Sequence, residues 1–128
     1  MMYMCNIGSM RKTLLWENPN PSNSFSSNTV YLSDIFNHYK FISVVFLEST
    51  VYSTYDIEII TPVEKLYLYG SGAIPAAVQY NVYTGGNVRY FSSDDLDSDR
   101  LSFSDCTKIG GTGASNGALI PIKVYGIN

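Results

Sequence analysis

The sequence predicts an all-β protein, an antiparallel β-sandwich of jelly-roll-like or immunoglobulin-like type with about eight or nine short strands. Three observations support this prediction. Residues Tyr39–Leu47 form a run in which seven of nine side chains are apolar or aromatic. Residues Gln79–Thr84 and Asn87–Phe91 form alternating runs on either side of a pair of glycines. Turn-forming residues separate the other short runs, and no segment has the periodicity of a long helix.

The run Tyr39–Leu47 predicts the central strand of a sheet, because β-branched and aromatic residues favour strand over helix. Alternate side chains of a strand point to opposite faces. A strand that is apolar on both faces belongs in the middle of a sheet that is covered on each side. One face would carry Phe41, Val45 and Leu47, and the other Ile42, Val44 and Phe46.

Shorter runs on both sides of this strand predict the rest of the sandwich. Asn18–Ser24 contains two prolines and three asparagines and predicts a turn-rich linker. Ser33–His38 predicts one helical turn with Ser33 as its cap. The further predicted strands are Lys12–Glu17, Thr29–Leu32, Val51–Ile60, Leu66–Tyr69, Arg100–Asp105 and Ala118–Ile127.

The glycine pair Gly85-Gly86 predicts a β-hairpin with a two-residue turn, because glycine tolerates the positive φ angles that such turns require. Cross-strand pairs of aromatic and β-branched residues would stabilise it. The predicted register places Tyr80 opposite Phe91, Asn81 opposite Tyr90, Val82 opposite Arg89 and Tyr83 opposite Val88.

The chain has 128 residues, of which 45% are hydrophobic, and this is sufficient for one packed core. We predict a single domain over residues 14–128. Residues 1–13 are predicted to form an N-terminal arm that becomes ordered only in an assembly. The two cysteines, Cys5 and Cys106, lie far apart in the sequence and do not form a disulfide framework. We expect both thiols to be unpaired.

Charged residues make up 15% of the chain and the net charge is −3. A mildly acidic chain lacks the basic patch of a nucleic-acid-binding protein or of a protein that binds acidic membrane surfaces. No apolar run approaches the roughly 20 residues of a membrane helix, so we expect no membrane insertion. The apolar stretch after Arg11-Lys12 is too short for a signal peptide.

Six segments follow one another in a distinctive order: Leu15–Pro21, Val30–Leu32 with Phe25 before it, Tyr39–Phe46, Arg89–Phe91, Leu101–Cys106 and Ile120–Ile127. This order resembles a small β-rich domain of tailed bacteriophages, which often forms the C-terminal end of tail, tip or fibre proteins. The resemblance covers roughly residues 14–128. Residues 1–13 have no counterpart in it, and we expect a short protein in place of the end of a long one.

The resemblance implies a non-enzymatic virion structural protein, located in the tail tip, the fibre or the capsid decoration and made in the cytoplasm of the bacterial host. The implied partners are other virion proteins and further copies of the chain, with a trimer expected from the phage analogy alone. Contact with carbohydrate on the host surface is a further expectation. The resemblance carries over no catalytic residue.

The acidic segment Asp95–Asp99 has the spacing that opens a calcium loop. The pattern then fails, because Arg100 stands where glycine is required and Cys106 stands where a bidentate glutamate is required. We interpret the segment as a solvated loop and predict no metal ion or other cofactor. If a cation did bind, its candidate ligands would be Asp94, Asp95, Asp97 and Asp99.

Three other patterns in the sequence have a chemical interpretation. Gly110–Gly117 lacks the lysine and hydroxyl residue that end a phosphate loop, and it predicts a flexible loop or a contact surface. His38, the only histidine, lies in a polar turn, and we therefore predict that it is a surface residue. Asp56 and Glu58 lie two residues apart and therefore on the same face of one strand. This spacing favours a solvent-exposed sheet face over the pair of catalytic carboxylates of a glycosidase.

These observations favour a virion structural protein over an enzyme, for which no motif is present. The alternative hypothesis is a carbohydrate-binding module that recognises polysaccharide of the host wall, because tyrosine and tryptophan suit sugar-binding faces. An enzyme would have to use Asp56, Glu58 or His38. The candidate residues for a ligand or partner surface are Trp16, Tyr83, Tyr90, Gly111, Gly113 and Asn116.

Overall fold

The computed structural model describes residues 11–49, 54–67, 76–82, 85–111, 113 and 115–128. These residues contain nine strands and two short 3-10 helices. The strands are β1 (Lys12–Glu17), β2 (Asn28–Tyr31), β3 (Phe41–Ser49), β4 (Thr54–Pro62), β5 (Ala76–Val82), β6 (Gly85–Ser92), β7 (Arg100–Phe103), β8 (Thr107–Lys108) and β9 (Ile120–Ile127). The helices are η1 (Phe36–His38) and η2 (Val63–Lys65).

The strands form two antiparallel sheets, which confirms the predicted all-β antiparallel sandwich. Sheet A has the strand order β1-β9-β3-β4. Sheet B has the order β2-β7-β6-β5, with β8 also paired to β6. The first strand begins at Lys12, so Lys12 and Thr13 of the predicted arm belong to sheet A. Arg11 precedes the strand, and residues 1–10 of the arm lie outside the described residues. No described helix has the length and apolar character needed to cross a membrane.

Strand β3 lies inside sheet A, between β9 and β4, as predicted. Ile42, Val44 and Phe46 are completely buried against sheet B. Val45 and Leu47 on the opposite face are half-buried. The expectation that both faces would be covered is therefore wrong for the outer face. In the described part of the chain the second sheet covers only the inner face.

An aromatic cluster forms the centre of the core. The ring centroids of Phe46, Phe91 and Phe103 lie 5.6 to 6.1 Å apart. Phe25 continues the cluster, with its ring edge-on to Phe103 at 5.6 Å and to Trp16 at 6.4 Å. Edge-to-face packing of this kind is the geometry that aromatic rings prefer. The cluster therefore joins β1, β3, β6 and β7 to the loop that carries Phe25.

Arg89 is the largest completely buried side chain of the described residues. Its guanidinium donates from Nε to the carbonyl of Leu119 (2.8 Å), from Nη1 to that of Ser104 (2.7 Å) and from Nη2 to that of Ala118 (3.0 Å). Leu119 has a φ of 46°, in the left-handed region that is uncommon for a bulky residue. Arg89 thus binds β6 to the turn that precedes β9.

The hairpin of β5 and β6 is confirmed, but its predicted register is wrong. Ala76 lies opposite Phe91, Val78 opposite Arg89 and Val82 opposite Gly85. The connecting residues are therefore Tyr83 and Thr84, which lie outside the described residues. The glycines are part of β6, because Gly85 pairs with Val82 and Gly86 with Asn81 of β5. On the other edge of β6, the N–H of Ile109 donates to the carbonyl of Gly86 (3.0 Å).

Two local predictions are also corrected. Leu66 is not in a strand: its N–H donates to the carbonyl of Val63 (3.0 Å), so it closes η2, and its side chain is completely buried. Leu68 and Tyr69 lie outside the described residues. The predicted helical turn exists as η1, but its N-cap residue is Ile35, and no side chain caps it. Ser33 lies before the turn, where its N–H donates to the carbonyl of Leu15 in β1 (2.9 Å).

Candidate functional site

An open groove of about 530 Å³ lies between the loop that follows β1 and the strand β2. We call it the β2 groove. Its size falls in the range of about 300–1,000 Å³ that is typical of ligand pockets. The residues that line it are Trp16, Asn18, Pro19, Asn20, Asn23, Ser24, Phe25, Asn28, Thr29, Val30 and Tyr31.

Asn18 anchors the loop side of the β2 groove. It is buried, its Nδ2 donates to the carbonyl of Pro121 (2.9 Å), and its Oδ1 accepts the N–H of Asn20 (2.8 Å). Its own N–H donates to the carbonyl of Ile122 in β9 (2.9 Å). A buried amide with its hydrogen bonds satisfied by backbone groups holds a loop in one conformation. The linker that the sequence predicted is therefore fastened to sheet A at its first residue.

Phe25 closes the other end of this loop. Its N–H donates to the carbonyl of Asn116 (2.9 Å), and its ring packs on Trp16 and Phe103. The guanidinium of Arg89 lies 5.5 Å from the centroid of the same ring, within the range of a cation–π contact. Phe25 therefore fixes the end of the loop to the core, and the floor of the groove is well packed.

Strand β2 forms the opposite wall and is an edge strand of sheet B. The N–H of Leu32 donates toward β7, to the carbonyl of Asp99 (2.7 Å). Because hydrogen-bonded and non-hydrogen-bonded pairs alternate in an antiparallel ladder, the backbone groups of Thr29 and Tyr31 point to the open edge. The N–H of Thr29 is taken up by Oδ1 of Asn28 (2.9 Å). The side chain of Tyr31 is 67% exposed.

The β2 groove carries no formal charge. Of the described residues that line it, none is an aspartate, glutamate, lysine, arginine or histidine. The side-chain amides of Asn20 and Asn23 and the indole N–H of Trp16 make no hydrogen bond within the described part of the chain. These groups are available to a ligand, as both donors and acceptors in the case of the amides.

The structure places the predicted surface residues in different parts of the fold. Trp16 lines the β2 groove. Asn116 lies behind it, where its Oδ1 accepts the N–H of Cys106 (2.9 Å) and its Nδ2 donates to Asp105 (3.1 Å). Tyr90 is 41% exposed on β6. Gly111 and Gly113 are exposed between β8 and β9, and Tyr83 lies outside the described residues.

Of the residues that line the groove, the sequence predicted only Trp16 as a surface residue; Asn20, Asn23 and Tyr31 are among those it missed. The asparagines were read only as turn formers and the tyrosine only as a strand residue. Their spacing in the sequence contains no signal that they share a surface with Trp16. The juxtaposition arises because the N–H of Ser33 binds the carbonyl of Leu15, which brings the end of β2 against β1.

Asp56 and Glu58 line a second depression, of about 440 Å³, on the outer face of sheet A. Glu58 accepts hydrogen bonds from Lys12 (2.5 Å) and from Ser43. The Lys12 ammonium, and then the Ser43 hydroxyl, hold the pKa of Glu58 below its ordinary value. A glycosidase general acid needs a raised pKa, so this ion-paired carboxylate does not have the property that such a role requires.

The acidic loop does not gather its carboxylates around one point. Asp97 accepts a hydrogen bond from Asn37, Asp95 accepts the N–H of Asp97 (2.9 Å), and Asp94 faces Arg100 at 3.5 Å. In the described ranges no group of three or more His, Cys, Asp or Glu side chains is placed to hold a metal ion.

His38 ends η1, and Cys106 follows β7. His38 is exposed, and its Nδ1 lies 2.6 Å from Oδ1 of Asp34. Cys106 is a free, buried cysteine, and burial raises the pKa of its thiol. A protonated, buried thiol is a poor nucleophile. Neither residue faces a groove described above.

Comparisons with protein-family models, with curated protein sequences and with solved structures find no match to this chain.

Proposed function

We propose that the protein is a non-enzymatic structural component of a bacteriophage particle, in the tail tip, the fibre or the capsid decoration. In this role it assembles with copies of itself and with other virion proteins. The order of its segments, which resembles phage tail domains, supports the proposal. The observation that carries it is the apolar edge of sheet A.

That edge is strand β4. In the described residues it pairs only with β3. Its residues Ile57 and Ile59 face the space between the sheets and are only half-buried, and Ile60 is 46% exposed on the outer face. Monomeric proteins usually protect such an edge, because apolar side chains that are exposed at the edge of a sheet promote association. Pairing of β4 with a second subunit would cover all three isoleucines.

The solution mass of the full chain, measured by light scattering after size exclusion, tests this proposal. We expect a discrete oligomer, a trimer by analogy with the phage domains. Ile60→Lys should shift the mass toward the monomer, because a charge at the edge opposes pairing. Ile109→Lys is the matched control, since Ile109 is 40% exposed and lies next to β8 in sheet B.

A monomer at all accessible protein concentrations, or an oligomer that Ile60→Lys leaves intact, would contradict assembly through β4. The particle role is tested separately, by mass spectrometry of purified phage particles from a bacterium that encodes the chain. Peptides of the protein in stoichiometric amounts are expected there. Their absence from intact particles would overturn the virion role.

A further inference from the structure

We infer that the β2 groove is a binding site for a neutral oligosaccharide. The inference goes beyond the proposed assembly role and does not depend on it, because the groove and strand β4 lie at different edges of the sandwich. In sheet A, β1 and β4 are the two outermost strands. An assembly formed through β4 would therefore leave the groove accessible.

Charge is the first reason. The described lining residues of the β2 groove include no acidic or basic side chain. By contrast, the depression on the outer face of sheet A is lined by two lysines and two carboxylates. A groove without fixed charge offers nothing to compensate the desolvation of a charged ligand. It therefore favours a ligand that is polar but neutral.

Hydrogen-bonding capacity is the second reason. The side-chain amides of Asn20 and Asn23 are exposed and have no hydrogen-bond partner in the described part of the chain. Nδ2 of Asn28 also has no partner there, because only its Oδ1 accepts a hydrogen bond. Each amide presents a donor and, in Asn20 and Asn23, also an acceptor. A sugar hydroxyl is likewise both donor and acceptor, so vicinal hydroxyls can satisfy such amides in pairs.

Aromatic surface is the third reason. Tyr31 is 67% exposed on the β2 side, and Trp16 is half-buried and supported from behind by Phe25. The C–H face of a pyranose is apolar and packs on such rings, while the Trp16 indole N–H can donate to a hydroxyl. The groove thus pairs an apolar platform with neutral polar groups, which matches the two faces of a sugar ring.

The walls of the groove are held in place before a ligand arrives. The buried amide of Asn18 fixes the loop to β9, and the N–H of Phe25 fixes its end to Asn116. Such preorganisation lowers the entropy lost on binding. It matters for weak sugar ligands, because hydroxyl groups must give up well-formed hydrogen bonds to water.

An extended peptide added to β2 is the competing occupant, and the backbone disfavours it. Strand addition needs a row of free N–H and C=O groups along the edge. The N–H groups of Ser27, Thr29 and Ser33 are already bonded, to Asp105 (2.7 Å), Asn28 (2.9 Å) and Leu15 (2.9 Å). Among the described residues, only the N–H of Tyr31 remains without a partner on this edge, and one N–H is too few for a strand ladder.

The chain offers a direct readout, because Trp16 is its only tryptophan. The full-length protein would be titrated with hexasaccharides of glucose, of galactose, of mannose and of N-acetylglucosamine, and tryptophan fluorescence would be recorded. We expect at least one of them to produce a saturable change. Asn20→Ala combined with Asn23→Ala, and separately Tyr31→Ala, should each raise Kd by about tenfold or more.

Tyr90→Ala is the matched control, since Tyr90 is an exposed tyrosine outside the groove, and its Kd should equal that of the unchanged protein. Circular dichroism of each variant confirms that the fold is retained. No fluorescence response to any of the four sugars up to about 10 mM would overturn the inference.

Three other results would also overturn it: equal binding by the groove variants, tighter binding of polygalacturonate than of the neutral sugars, or saturable binding of an extended peptide that competes at Trp16. The solution mass reports only on β4 assembly. A monomer that binds sugar would therefore contradict the assembly proposal alone, and an oligomer that binds no sugar would contradict the groove inference alone.

Discussion

Arg89 illustrates how a single residue can join parts of the fold that are distant in sequence. Its side chain has no carboxylate within ion-pair distance in the described part of the chain, and three backbone carbonyls accept its hydrogen bonds. Buried carbonyls are costly without donors. We therefore regard Arg89 as a structural residue, which satisfies the irregular turn before β9.

Arg89→Met should lower the free energy of unfolding by roughly 2–4 kcal/mol, because it leaves buried carbonyls without donors. Urea denaturation followed by Trp16 fluorescence measures this change. Arg100→Met is the matched control: Arg100 is exposed and faces Asp94 at 3.5 Å, so its loss should cost less than about 0.5 kcal/mol. Equal stability of the two variants would contradict the structural role of Arg89.

Asp105 makes the stability of the fold depend on pH. The N–H of Ser27, and then the amide of Asn116, hold the pKa of Asp105 below its ordinary value of 3.8. A carboxyl group whose pKa is lowered in the folded state stabilises the fold at pH values above its ordinary pKa. This stability is lost as the pH falls through the pKa of the folded state. The pKa values of Asp34 and Glu58 are lowered in the same direction.

We expect the urea midpoint to fall as the pH is lowered from 5 to below 3.8, the ordinary pKa of Asp105. In Asp105→Asn the midpoint should be lower at neutral pH and should change less over the acid range. Asp94→Asn, which removes a carboxyl that is 74% exposed, controls for the loss of one negative charge. Parallel pH profiles of Asp105→Asn and the unchanged protein would contradict this prediction.

At the scale of elements, β9 packs closely against the chain that enters β3. A Cβ atom on Gly126 would overlap the ring of Tyr39. The Tyr39 hydroxyl donates to Oδ2 of Asp34 (2.9 Å), so the ring cannot move without losing this hydrogen bond. Glycine at this position in the strand therefore permits the close approach.

Gly126→Ala should lower the free energy of unfolding by about 1–3 kcal/mol, because the methyl group forces either the Tyr39 ring or β9 to shift. Thermal or urea unfolding measures it. The control is Gly117→Ala, since a Cβ there would meet no atom within 4 Å. If Gly126→Ala unfolds at the same urea concentration as Gly117→Ala, the contact is not restrictive.

The elements also show where prediction from the sequence succeeded. The strand β3, its two faces, and the hairpin of β5 and β6 follow from side-chain alternation and β-branched content, which are local properties. The hairpin register does not. Gly85 and Gly86 predict a turn locally, but in the structure both glycines pair with β5, opposite Val82 and Asn81, and are therefore part of the strand.

At the scale of the whole molecule, the strand order separates the two surfaces proposed to have a function. In sheet A, β1 contributes Trp16 to the groove at one edge, and β4 presents its isoleucines at the other. Three strand spacings separate them, roughly 14 Å. The proposed assembly can therefore form through one edge and leave the other open, and each surface has its own experiment.

The sequence by itself determined the all-β class, the antiparallel sandwich and the central strand, because these depend on the period of apolar residues within short segments. Tertiary structure alone decided the register of the hairpin, the burial of Arg89 and the make-up of the β2 groove. Each depends on groups that are far apart in the chain, such as Leu15 and Ser33, which a backbone hydrogen bond brings together. Periodicity contains no information about such pairings, since the free energy that selects them comes from packing of the complete core.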